Sequence, residues 1–211
     1  MTIAKFIYPI VLASLTFGYT AVLAQNRSES TSPEQIRKQA ANLKEYRDLL
    51  ASPDPSIRFA AVSEMLKSTN NTLRAMAFDA AFQSADSAIK ALALKERILT
   101  MSGLVIEAVD PRQAEELAVF GLAKFSIPIG KPDMNRGTSE TGYFNPHNLY
   151  GTLSVAGEEF SFQVSEPGGR YVRGRFRLGD GGKLNGSLQW QMIGTDNKFR
   201  NGIFPAFTFV N

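Results

Sequence analysis

The sequence has no cysteine and only one histidine, His147, in 211 residues. The missing thiols exclude disulfides, thiolate metal sites, a cysteine nucleophile and a lipid-modified cysteine. A lone histidine leaves none to spare for a zinc site or a Ser–His hydrolase variant. Charge of one sign is also scarce: 23 basic against 20 acidic side chains give a formal charge of +3. That balance is too even for a general nucleic-acid binder. No pattern implies a cofactor. What is present suffices for a core, because 44% of residues are apolar and 20% charged.

Only one long apolar run occurs, at the N-terminus. Lys5 precedes an apolar stretch from Phe6 to Leu15, and Val22-Leu23-Ala24 supplies small residues before Gln25. This pattern predicts a secretory signal over 1–24, cleaved after Ala24. The competing reading is an uncleaved anchor, for which Phe6 to Leu23 is marginal in length and weakened by Thr16, Gly18 and Thr20. Cleavage leaves no membrane span and places the protein in the periplasm or outside a bacterial cell. Without disulfides, packing alone must stabilise it there. Residues 25–31 carry no apolar side chain and read as a flexible leader.

Three blocks then align without gaps at a spacing of 16: 52–67, 68–83 and 84–99. Their columns are Ser52, Ser68 and Ser84; Asp54, Asn70 and Asp86; Ile57, Leu73 and Ile89; Arg58, Arg74 and Lys90; Ala61, Ala77 and Ala93; and Leu66, Phe82 and Ile98. Asp or Asn is a strong N-cap, and Pro55 suits the first helical position. Each block therefore predicts one short helix that stacks on its neighbours. Ser32-Pro33-Glu34-Gln35 and Asp110-Pro111-Arg112-Gln113 read as capping boxes of flanking helices. Residues 104–109 fit either a strand or a helix tail. The run from Ser52 to Leu66, and with it the whole of 52–99, resembles HEAT-like repeats, in a variant with short units. That resemblance implies an interaction scaffold without catalysis.

Composition shifts near residue 126, since 14 of 17 glycines follow it. The expected organisation is a helical repeat domain over 32–125 and an antiparallel β domain over 126–211. The fold class is α+β, a HEAT-like stack followed by a β-meander that forms a small sandwich or barrel. About five strands are expected, six if Lys124–Ile129 is one, with a long connection from Ile127 to His147. The apolar face comprises Leu149, Leu153, Val155, Phe160, Phe162, Val172, Phe176, Leu178, Leu184, Leu188 and Trp190. Phe207 and Phe209 make the last strand apolar on both faces, which suggests a central or covered strand.

Candidate binding residues fall in two groups. Arg173, Arg175 and Arg177 alternate along one strand beside Tyr171, and so share one face. Such a row suits an anionic polymer such as an envelope polysaccharide, or else forms a solvated face paired with Glu158, Glu159 or Glu166. Asn185, Ser187, Gln189 and Gln191 make a polar ladder suited to sugars or to plain solvent. Arg58, Arg74 and Lys90 either form a ladder for an acidic partner or bond neighbouring loops.

Catalytic patterns are thin. His147 has no identifiable nucleophile or orienting acid. Ser87-Ala88-Ile89-Lys90 matches a Ser-x-x-Lys pattern, but lies inside a repeat block without the companion motifs. Glu115-Glu116 and Glu158-Glu159 are adjacent and point apart, so they form no acid–base dyad. The expectation is an exported, non-catalytic binding or scaffold protein with an envelope protein partner. The alternatives are a glycan or anionic-polymer module and a carboxylate-based hydrolase.

Overall fold

The computed structural model describes residues 32–143 and 148–210. The expected signal segment, the leader and His147 lie outside the described residues.

Helix α1 (Pro33–Leu50) opens on the expected capping box: Ser32 and Gln35 bond each other's backbone N–H groups through their side chains. Helices α2 (Pro55–Lys67), α3 (Asn71–Gln83) and α4 (Ser87–Thr100) start 16 residues apart, in phase with the repeat. Asp54, Asn70 and Asp86 each accept the amide two residues on, at 2.8, 2.9 and 2.8 Å. The serine column has its own task. Ser52, Ser68 and Ser84 Oγ accept the N–H of those three capping residues at 3.2, 3.1 and 3.0 Å. The sequence repeat is thus a repeated pair of nested turns.

Each of these helices packs on the next and the next but one. Burial deepens along the row: in one column Ile57 is 42% exposed, Leu73 half-buried and Ile89 2% exposed. Helix α1 buries no residue, whereas α4 buries Ile89, Ala93, Leu94, Ile98 and Leu99. The cause is position, because α4 lies against the sheet.

Eight antiparallel strands close into a barrel in chain order. They are β1 (Gly103–Ala108), β2 (Lys124–Asp133), β3 (Thr138–Tyr143), β4 (Leu149–Ala156), β5 (Glu159–Ser165), β6 (Tyr171–Leu178), β7 (Lys183–Ile193) and β8 (Phe199–Phe209). Helix α5 (Pro111–Ala118) joins β1 to β2, and a 3-10 turn (Asp180–Gly182) joins β6 to β7. The barrel closes where Glu107 and Ala108 of β1 meet Phe207 and Ala206 of β8.

This corrects the expected count of five or six strands. The ambiguous segment 104–109 is strand β1, so the sheet begins before the changeover expected at residue 126. Strand β3 falls inside the expected long connection. Its inward side chains are polar: Ser139 and Thr141 are buried, and Thr141 Oγ1 donates to the Pro128 carbonyl at 2.6 Å. No hydrophobic alternation marks such a strand. Strand β2 contains Pro128 and Pro132, and its pairing with β3 shifts register between Ile129 and Pro132.

The eleven residues of the expected apolar face are all buried. Phe160, Phe162 and Phe176 cluster with centroids 5.8–6.5 Å apart, and Phe125 meets Phe162 edge-on at 6.4 Å. Gly174 makes room for them. The β2–β3, β4–β5 and β6–β7 turns lie at one end of the barrel, where α4 packs on β2 and β4 and α3 on the 3-10 turn. There Arg97 Nε donates to the Val210 carbonyl at 2.6 Å. At the other end Phe120, just after α5, packs on Trp190 at 4.8 Å. One apolar cluster runs continuously from Val62 to Val210.

Candidate functional site

Strand alternation fixes the arginine row. Val172, Gly174, Phe176 and Leu178 of β6 face inward and are buried, so Arg173, Arg175 and Arg177 face outward and are exposed. Alternate residues on a strand are about 6.7 Å apart, which spaces the three guanidiniums evenly. The neighbouring strands set what surrounds them. Arg173 lies between Gln163 of β5 and Gln189 of β7, Arg175 between Ser161 and Ser187, and Arg177 between Glu159 and Asn185.

These strands and β4 and β8 border a shallow outer concavity of about 500 Å³. Its polar lining includes Thr152, Ser154, Ser161, Gln163, Arg173, Arg175, Ser187 and Gln189, with Ile203 at the β8 side. No carboxylate lines it, so the concavity offers hydrogen bonding and positive charge but no acid–base pair. Among the described residues, none of the three arginines makes an ion pair. Glu166 is bonded instead to Arg170. Glu159 stands opposite Arg177 alone.

Tyr171 orders the first arginine. The Arg173 guanidinium lies over its ring at 4.8 Å, and Gln189 Nε2 donates to its phenol oxygen at 3.4 Å. Gln191 Nε2 donates to the Gly169 carbonyl at 2.8 Å and is thereby occupied. Ser154 and Ser161 share a hydrogen bond at 3.0 Å across β4 and β5.

The helical candidates are placed differently. Arg58 Nη1 donates to the carbonyls of Ser52 and Pro53 at 2.7 and 3.0 Å, clamping the loop before its own helix. Arg74 and Lys90 occupy the same position on α3 and α4 and are half-buried. The structure therefore gathers Tyr171 and the three arginines into one face and keeps Arg58, Arg74 and Lys90 on the helical row. Sequence reading missed Thr152, Ser154, Ser161, Gln163 and Ile203 as neighbours of the arginines. Only strand pairing brings them there, and its local marks are the turns at Gly157 (φ +60°), Gly169 (φ +84°) and Asn197 (φ +60°).

Strand β8 sits centrally between β7 and β1, but among the described residues no element covers its outer face. Phe207 is half-buried and Phe209 is 51% exposed. Among the described residues, no three His, Cys, Asp or Glu side chains cluster to hold a metal, and no helix is long and apolar enough to cross a membrane. No family model, curated protein or solved structure matches the chain.

Proposed function

We propose that this is an exported, non-catalytic binding protein of the cell envelope. It holds an anionic polymer on the outer wall of its barrel, at Arg173, Arg175 and Arg177. The observation that carries this reading is a row of three guanidiniums without an ion pair among the described residues, two of which, Arg173 and Arg175, line a concavity of hydroxyls and amides with no carboxylate, while Arg177 continues the row beside it. An arginine with a carboxylate partner has little left to offer a ligand; these three retain their donors. Their spacing lies within the Debye length of about 8 Å at physiological salt, so they act as one charged stripe. Guanidiniums fit the carboxylate and phosphate groups of acidic glycans, and flanking amides and hydroxyls fit sugar hydroxyls.

The test is titration calorimetry with alginate, an acidic polysaccharide, against neutral dextran. Alginate is expected to bind and dextran not. Arg173→Ser with Arg175→Ser is expected to weaken alginate binding about tenfold, from two exposed contacts of ~0.7 kcal/mol each. Added NaCl is expected to weaken it further. Equal affinity for the two polymers, or no change in the double variant, overturns the reading.

A second reading rests on the helical row, taken as a HEAT-like scaffold for an envelope protein. Ile36, Leu49, Ile57 and Phe59 lie exposed on α1 and α2, at the end of the row remote from the barrel. Ile57→Ser with Phe59→Ser would then abolish a partner cross-link that Arg173→Ser leaves intact.

A further inference from the structure

The wall that carries the arginines continues into a different chemistry. The β6–β7–β8 register sets three side chains in each cross-strand row. Arg173 lies opposite Gln189, which lies opposite Ile203; Arg175, Ser187 and Pro205 form the next row; Arg177, Asn185 and Phe207 the third. Every row runs from a cation through a hydrogen-bonding group to an apolar group. With strands about 4.8 Å apart, that passage takes about 10 Å. Ile203 is 68% exposed and lines the same concavity as Arg173 and Arg175. At the lower end Lys183 extends over Phe207 and Phe209, its Nζ 4.6 and 5.9 Å from their rings. On β1 the apolar column ends: Glu107 lies opposite Phe207 and pairs with Lys124 at 2.8 Å, with exposed Val105 and Val109 on either side of it.

A purely polar chain would use the first two columns and leave the third in water. An apolar group paired with a cation in three consecutive rows matches a ligand that changes from anionic to apolar over the same distance. Resting on the anion-binding reading above, we infer that the ligand is an anionic glycolipid. Its charged sugar lies on the arginine and amide columns, and its hydrocarbon chain lies over Ile203, Pro205 and Phe207. Aromatic and aliphatic side chains bordered by cations suit that boundary between head group and chain.

The experiment uses the mature chain and three soluble probes, each below its micelle concentration: methyl glucuronide, decyl glucuronide and decyl glucoside. Titration calorimetry is expected to show decyl glucuronide binding at least about tenfold tighter than methyl glucuronide, the gain from burying roughly two methylenes. The neutral decyl glucoside is expected to bind more weakly than the decyl glucuronide. Ile203→Ser is expected to erase the preference for the decyl chain, read as the ratio of the two glucuronide affinities within the variant. Ile203→Lys separates charge from chain: it should strengthen methyl glucuronide binding while removing the preference. Equal affinity for the two glucuronides, with alginate still bound, overturns this inference alone. If alginate is not bound, the reading beneath it falls.

Discussion

A methyl group at position 174 has nowhere to go. A Cβ there would lie 2.5 Å from Phe162, 2.6 Å from Phe176 and 2.9 Å from Leu188, all inside the barrel. Gly174→Ala is expected to lower stability by about 1–3 kcal/mol, seen as a lower urea midpoint. Gly186→Ala should cost more, because its Cβ would fall on the Arg175 carbonyl and a backbone yields less than a side chain. Charge at the β7–β8 turn gives a second residue-level prediction. The Asp196 carboxyl sits below its usual value, first because the Lys198 N–H donates to it and then through Arg200, whose Nη2 is 2.9 Å away. A lowered folded-state value means that its stabilising contribution is present above the ordinary carboxylate range and is lost as pH falls through the depressed value. Carbon-13 titration of Asp196 should therefore show a midpoint below that of free aspartate. Arg200→Ala should raise that midpoint without restoring the free value, since the Lys198 amide remains. At this scale the arginine row was legible, because a period of two leaves no choice of side once Val172 and Phe176 are inward. The absence of carboxylate partners was not, because Glu166 is drawn to Arg170 by a local turn.

Among the elements, the helical row was read almost in full. Its caps, starts and connections are local, and Ser52, Ser68 and Ser84 make the same bond three times. The energetic weight of each cap is a tertiary matter. Asp86→Ala is expected to cost about 1 kcal/mol of global stability, because α4 is locked between α3 and the barrel. Asp54→Ala should move the global midpoint less, since α2 buries three residues against five in α4. Hydrogen exchange checks the same point: α1 amides, on a helix with no buried residue, should exchange fastest among the four stacked helices. Strand β3 shows the opposite case. Thr138–Tyr143 contains no aliphatic residue, and its place in the barrel comes from pairing with β2 and β4.

For the whole molecule, the decisive feature is the junction of helices and barrel. Arg97 bonds the Val210 carbonyl beyond β8 and lies over the Phe78 ring of α3 at 5.1 Å, tying three parts of the chain together. The apolar cluster is continuous across this junction. Unfolding followed by Trp190 fluorescence, which reports on the barrel, and by helical circular dichroism should therefore give one shared midpoint. Arg97→Met should lower it by about 1.5–3 kcal/mol, the worth of a charged hydrogen bond to a carbonyl. Two separated midpoints in the unsubstituted protein would mean that the junction does not couple the halves.

The sequence alone determined the caps, the phase of the helical repeat, the inward faces of β4 to β7 and the common side of Arg173, Arg175 and Arg177. Each of these depends on neighbours a few residues apart, where helical and strand periodicity act directly. Tertiary structure decided the barrel's closure, the membership of β1 and β3, the uncovered aromatic face of β8 and the rows that join arginine to amide to apolar side chain. Those depend on register between distant strands, which is set by which cross-strand partners bury one another and has no mark in any single segment.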